Sequence, residues 1–294
     1  MQQYGTGLKS EFHPRVSSTI NCKGRLIDLS IPKVMGILNL TPDSFYDGGK
    51  YGNERSIIAQ VGKMLAAGAT IIDVGAYSSR PGADTLSAEA ELQRILPAVK
   101  SIVKEFPEAL LSIDTFRSTV ARHCLDSGAA LINDISAGKL DDQMLSTVAQ
   151  FGAPYIMMHL RGTPQTMLQY TDYGDLLQDI LFYFSERIAE ARAAGLHDLI
   201  IDPGFGFSKT LDQNYHLLQN LDLFQTAGLP FLAGISRKSM LYRVLGGGPK
   251  EALNGTTALN MVALAKGASL LRVHDVKEAM ECVALSERLR DPQF

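Results

Sequence analysis

The amino-acid sequence predicts an α/β fold, a single (β/α)8 TIM barrel with an N-terminal β-hairpin, and three observations carry that expectation. Short apolar runs rich in Val, Ile and Leu alternate with stretches of helical period along the whole chain, the pattern of a parallel sheet built from βα units. Roughly eight such runs can be counted by pattern, the number that closes a barrel. Nearly every run ends in a polar or charged residue, and in a barrel the carboxyl ends of the strands converge on one face, where reactive groups sit. An open doubly wound sheet shares the first observation and is the runner-up.

Each element has its own local reason. "STINCKGRLIDLS" alternates in polarity about Lys23-Gly24 and reads as the hairpin, within an N-terminal extension of residues 1–32. The barrel is expected over 33–294. Its strand candidates are "KVMGILN", "TIIDVGA", "LLSID", "ALINDIS", "PYIMMH", "LIIDPG", "FLAGIS" and "LLRVH". Between the second and third, "ELQRILPAVKSIVKEF" places Leu92, Ile95, Leu96, Val99, Ile102, Val103 and Phe106 on one helical face, ready to cover a sheet. Comparable faces occur in "ERSIIAQVGKMLAAG", "DLLQDILFYFSERIAEARAAG" and "TTALNMVALAKGA", and no Pro/Ser-rich linker interrupts the series.

Composition narrows the partners. A chain of 294 residues with 46% hydrophobic and 20% charged residues has an ordinary globular balance. The net charge of -3 gives no electrostatic footprint for nucleic acid, and no long Lys/Arg run suggests a membrane surface. The start lacks an apolar leader core, and no later segment is an uninterrupted apolar span of membrane length. Cys22, Cys124 and Cys282 lie far apart without metal-ligand spacing and are expected to stay reduced. A cytoplasmic protein acting on small molecules is the resulting expectation.

The strand ends supply the chemistry. Asn39 follows "VMGIL", Asp73 "TII", Asp114 "LLSI", Asn133-Asp134 "ALI", His159 "PYIMM", Asp202 "LII" and Ser236-Arg237-Lys238 "FLAGI", while Arg272 and His274 lie in "LLRVH". Any one Asp or Asn reads equally as a helix cap or turn former, and Asp114 before "TFRSTV" and Asp134 before "ISAG" are good cap candidates. Capping does not ask for Lys238, Arg272 and His274 at the same rim, so the set points to a site. His159 alone reads as a structural histidine. Carboxylates and an amide together suit a heterocycle whose amino group and ring N–H lie side by side, with Lys238 donating to the ring carbonyl. Arg80 in "YSSRPG", Arg272 and His274 supply cationic donors for phosphate, and Ser78 and Ser79 neutral ones. A Mg2+ ion held by Asn39 or a neighbouring Asp, and mostly by the phosphates, would complete such a site. Neither GxGxxG nor GxxxxGK[ST] is present.

"MGILNLTPDSFYDGG", "DVGAYSSRPGA", "SIDT", "LINDIS", "MMHLRGTPQTM", "IIDPGFGFSKT", "GISRKSM" and "LLRVHDV", in this order, resemble the dihydropteroate synthase family from Val34 onward. The resemblance implies a barrel enzyme joining 6-hydroxymethyl-7,8-dihydropterin diphosphate to 4-aminobenzoate, with release of pyrophosphate and 7,8-dihydropteroate. Carried over residue by residue, Asp114, Asn133, Asp202, Lys238 and Arg272 would hold the pterin, and Ser79, Arg80, Arg272 and His274 the diphosphate. Phe45, Ser79, Pro81, Lys238 and Ser239 would line the aminobenzoate site, Asn39 would bind Mg2+, and Asp43, Asp47, Lys238 and Arg272 would serve the reaction. A homodimer and sensitivity to sulfonamides are implied as well. The chain departs from the usual family pattern at Ala76-Tyr77 and Ser79. Alternatives sharing the pterin pocket are a pterin-dependent methyltransferase, which would not need "LTPDSF" or "SSRPG", and a non-catalytic pterin-binding module, which would have lost Lys238, Arg272 or the loop residues.

Overall fold

Burial on both faces turns the apolar runs into strands, and helical stretches cover them. The computed structural model describes residues 19–40, 49–77 and 86–290. After a hairpin of β1 (Thr19–Cys22) and β2 (Arg25–Asp28) come β3 (Lys33–Asn39), α1 (Gly49–Ala66), β4 (Ile71–Gly75), α2 (Ala88–Glu105), β5 (Leu110–Asp114) and α3 (Ser118–Asp126). They are followed by β6 (Leu131–Asp134), α4 (Met144–Gln150), β7 (Tyr155–Met158), α5 (Leu176–Ala193), β8 (Leu199–Asp202) and α6 (Leu211–Gln219). The last turn of the barrel comprises β9 (Leu232–Ala233), α7 (Ser239–Leu245), α8 (Leu253–Ala265), β10 (Leu270–Val273) and α9 (Val276–Arg290).

The barrel strands form one parallel sheet in the order β8-β7-β6-β5-β4-β3-β10-β9. Its two ends meet where Ile201 bridges Phe231 and the Ile201 N–H donates to Pro230 O at 3.1 Å, so the sheet all but closes on itself. The expected barrel, rather than the open sheet, is what forms.

Side chains along a strand alternate between faces, and this parity sorts the apolar residues into two cores. Val34, Ile72, Leu111, Ile132, Tyr155, Ile201 and Leu271 face outward under the helices in the larger cluster. Met35, Ile71, Leu110, Leu131, Ile156, Ile200, Leu232 and Leu270 face inward and fill the base of the barrel, where Ile20, Cys22, Ile27 and Leu29 of the hairpin join them. The hairpin turns at Lys23 and Gly24, whose φ values of 56° and 83° are those of a type I′ turn, and the Gly24 N–H is held by Asn21 Oδ1 at 2.8 Å. Asn21 N–H to Asp198 Oδ2 (3.0 Å) and Lys23 Nζ to Gly128 O (3.0 Å) tie it across the base.

Two expectations need correction. "FLAGIS" pairs only through the Phe231 bridge and at Leu232–Ala233, and the chain beyond then swings toward the mouth through a positive φ of 54° at Arg237. That bend is pinned by the Arg237 guanidinium, which meets both oxygens of Asp275 at 2.8 Å and the carbonyls of Pro249 and Lys250. Asp114 does not cap α3; the N–H of Ser118 donates instead to Asp141 Oδ2 at 2.7 Å. Asp134 does act as a turn former, accepting from the N–H groups of Ser136 and Gly138, the Ser136 hydroxyl and Tyr155 Oη. The three cysteines are free and buried, and burial pushes the thiols of Cys22 and Cys124 up to about 12. Among the described residues no helix is long and apolar enough to cross a membrane.

Candidate active site at the barrel mouth

The inward parity that fills the base with hydrocarbon delivers polar groups above it. Two residues beyond Ile71 stands Asp73, beyond Leu131 Asn133, beyond Ile200 Asp202 and beyond Leu270 Arg272; four beyond Leu110 stands Asp114, and four beyond Met35 Asn39. All enter the mouth. Asp134 and His159 have the opposite parity and point out among the helices, which is why neither belongs to the site.

Arg272 is the hub. Its Nε donates to Asp73 Oδ2 at 2.6 Å and its Nη2 to Asp114 Oδ2 at 2.7 Å, while Asn133 Nδ2 reaches the same Asp73 oxygen at 3.1 Å. Asp73 Oδ1 is buried with no hydrogen-bond partner, an unused acceptor on a carboxylate whose other oxygen meets Arg272 and Asn133. Burial pushes the Asp114 carboxyl up to about 7, with Arg272 opposing the shift and Asp73 adding to it. The two carboxylates raise the Arg272 guanidinium, outweighing the burial that would lower it.

On the other side of the mouth, Asp202 is raised by burial against the pull of Lys238 and of the Gly204 N–H, which donates to Asp202 Oδ1 at 2.8 Å. Lys238 is brought down to about 8 by burial, with Asp202 opposing. Its Nζ donates to Phe205 O and lies 4.6 Å from the centre of the Phe207 ring. His274 is oriented by Ser236, whose Oγ accepts the His274 backbone N–H at 3.1 Å and lies 3.0 Å from Nδ1. Ser239, half-buried, opens α7 directly after Lys238.

Asn39, half-buried at the end of β3, pairs in the ladder with Gly75 and stands on the mouth side. Among the described residues no group of three His, Cys, Asp or Glu side chains could hold a metal by itself. A lone amide oxygen fits an ion held mainly by substrate oxygens, not an all-protein cage. Asp43, Phe45, Asp47, Ser78, Ser79, Arg80 and Pro81 lie outside the described residues. The last described residue before that second loop, Tyr77, is held by Gln165 Nε2 at 2.7 Å, by an edge contact with Phe116 and by the guanidinium of Arg117. Sequence reasoning noted Asp73 at a strand end but gave it no role; counting by twos from Ile71 would have placed it beside Arg272.

A barrel whose mouth carries a row of carboxylates, an amide, a half-buried lysine and a carboxylate-paired arginine has the donor and acceptor set of an enzyme for a small polar heterocycle. The family model described as pterin binding enzyme matches residues 35–274. The dihydropteroate synthase of Escherichia coli (strain K12) is 44% identical over 267 residues, covering 90% of this chain and 94% of its own. The Yersinia pestis dihydropteroate synthase solved with a sulfonamide drug complex superposes with a TM-score of 0.87 at 41% identity, over 92% of this chain and 99% of that one. The Xanthomonas albilineans dihydropteroate synthase with 4-aminobenzoic acid gives 0.86 at 35% identity, over 93% and 98%. The chain belongs to the dihydropteroate synthase family of pterin-binding transferases.

Proposed function

We propose that this chain joins 6-hydroxymethyl-7,8-dihydropterin diphosphate to 4-aminobenzoate, giving 7,8-dihydropteroate and pyrophosphate. The observation that carries the reading is the convergence of Asp73, Asp114, Asn133, Asp202, Lys238 and Arg272, from separate elements, on one mouth above a closed apolar base.

In this reading Asp202 accepts from the amino-pyrimidine edge of the pterin and Lys238 donates to the ring carbonyl. Asn133 and Asp114 complete the polar rim, and Asp73 Oδ1 is an acceptor available to a ring N–H. Arg272 has donors beyond those directed at Asp73 and Asp114, and these, with His274, Ser79 and Arg80, face the diphosphate. The C–O bond between the exocyclic methylene and the diphosphate breaks as the arylamine nitrogen forms the new C–N bond and loses a proton. Cationic donors that stabilise the departing diphosphate, and a wall that orients the weakly basic amine, are what this step needs. Phe45, Pro81 and Ser239 are assigned to that wall, and Asp43 and Asp47 to the neighbourhood of the developing cation. Asn39 would hold Mg2+, which when bound adds positive charge to the leaving group.

The test is pyrophosphate release that requires both substrates; release without 4-aminobenzoate, or none with both, contradicts the assignment. A homodimer is also proposed, supported by the exposed apolar side chains Leu245 on α7, Val262 on α8 and Leu285 and Leu289 on α9. Sedimentation giving only the monomer mass at micromolar concentration would refute it.

A further inference from the structure

The turn after β8 contains a buried lysine that the reaction scheme does not use. Lys209 makes no ion pair with any described residue, and its ammonium is folded back into its own turn. Nζ donates to Gly204 O at 3.0 Å and to Phe207 O at 3.0 Å, the carbonyls that bracket Phe205 and Gly206, and lies 3.1 Å from Nδ1 of His159 at the end of β7. The turn runs through left-handed backbone: Gly204 and Gly206, with φ values of 75° and 79°, adopt it freely, while Ser208 at 49° is strained. A Cβ at Gly204 would come within 2.3 Å of His159 O, so the turn is pressed against β7. Around it, Asn214 Oδ1 takes the Gly206 N–H at 2.6 Å, and Ser208 Oγ is fixed by the Arg161 backbone.

What this turn presents to the mouth is specific. Gly204 N–H orients Asp202, Phe205 O receives Lys238 Nζ, and the Phe207 ring lies beside the same ammonium. We infer that Lys209 is a positioning residue of the pterin site, an internal tie that holds the 203–208 turn closed against His159 and so sets the orientation of Asp202 and Lys238. The inference rests on the pterin reading of the pocket. The tie does not depend on the ammonium charge, which burial makes easy to lose by bringing the group down to about 7. A neutral amine still donates to both carbonyls and can accept from the Nδ1–H tautomer of His159, whose ring burial keeps neutral.

The experiment compares wild type with Lys209→Met, which keeps the length of the chain and removes the donors. The expected result is a KM for the pterin diphosphate raised tenfold or more, a kcat within about threefold of wild type, and an unchanged KM for 4-aminobenzoate. Amide exchange over 203–209 in the ligand-free protein should quicken at the same time. Should Lys209→Met fail to fold, His159→Leu removes one hydrogen-bond partner of Lys209 and His159→Asn restores one, able to accept or donate, close to Nδ1. The Leu variant should raise the pterin KM about threefold, and the Asn variant should return it toward wild type. An unchanged pterin KM in either disrupted variant, or a loss spread equally over kcat and both KM values, overturns the inference. Failure of the wild type to release pyrophosphate counts against the proposed reaction instead, while the exchange comparison still tests the tie.

Discussion

Lys238 shows how one side chain joins burial to chemistry. Its ammonium is held by the Phe205 carbonyl and feels the charge of Asp202, so a pterin carbonyl would meet a donor already oriented. Replacing it with Met should remove a charged hydrogen bond worth about 1.5–3 kcal/mol, weakening pterin binding by roughly ten- to a hundredfold. Calorimetry with the pterin substrate reads this directly, and wild-type affinity in the variant would disprove the assignment. The pH profile of kcat/KM follows from the same neighbourhood, since that ratio reports groups of the free enzyme. Asp114, raised to about 7, must be ionised to hold Arg272, so activity should fall as pH drops through 7. Lys238, lowered to about 8, must be charged, so activity should fall again as pH rises through 8. The expected profile is a narrow bell between those values, and Asp114→Asn should erase its acid limb. Reading parity along each strand makes Asp73, Asp202 and Arg272 legible from the letters alone. The partition between Asp114 and Asp134 is legible only as parity too, since both look like caps. Lys209 was not legible, because its partners are main-chain carbonyls of its own turn and a histidine 50 positions away.

The elements carry their own lesson at β9. Its sequence has the apolar content of the other strands, yet the strand ends at Ala233, and beyond it Arg237 is tied to Asp275 and to the carbonyls of Pro249 and Lys250. Those partners are distant in sequence, so local pattern reading extends the strand too far. The consequence is functional, because the swing carries Ser236 and Lys238 over the mouth. Arg237→Lys keeps the charge but loses the planar fork that meets both oxygens of Asp275. It should lower stability by about 1–2 kcal/mol, seen as an earlier denaturation midpoint, and loosen pterin binding with it. Unaltered stability would mean the fork is not what holds the bend. The hairpin, by contrast, was legible in full, since alternation on both sides of a Lys-Gly pair leaves few other conformations.

At the scale of the whole molecule, eight strands and their crossover helices were readable because a parallel barrel repeats one pattern. The loops after β3 and β4 carry no such repeat, and the aminobenzoate wall assigned to Phe45, Ser79 and Pro81 was read by resemblance alone. Sulfonamides, which share the arylamine and para acidic group of 4-aminobenzoate, should compete with it and leave pterin affinity intact. A sulfonamide that displaced bound pterin would contradict the placement of the two pockets. The packed base adds a constraint of traffic. With Ile20, Cys22, Ile27 and Leu29 of the hairpin seated beneath the inward ring, the base is packed among the described residues, so in the proposed reading ligands come and go by the mouth. If the heterocycle lies deepest, as proposed, it should arrive before the arylamine closes over it, and the joined product should depart only after pyrophosphate has left. Pyrophosphate should therefore bind to the enzyme in the presence of 4-aminobenzoate without any pterin below it, whereas pterin added after both should associate slowly, at a rate set by their departure.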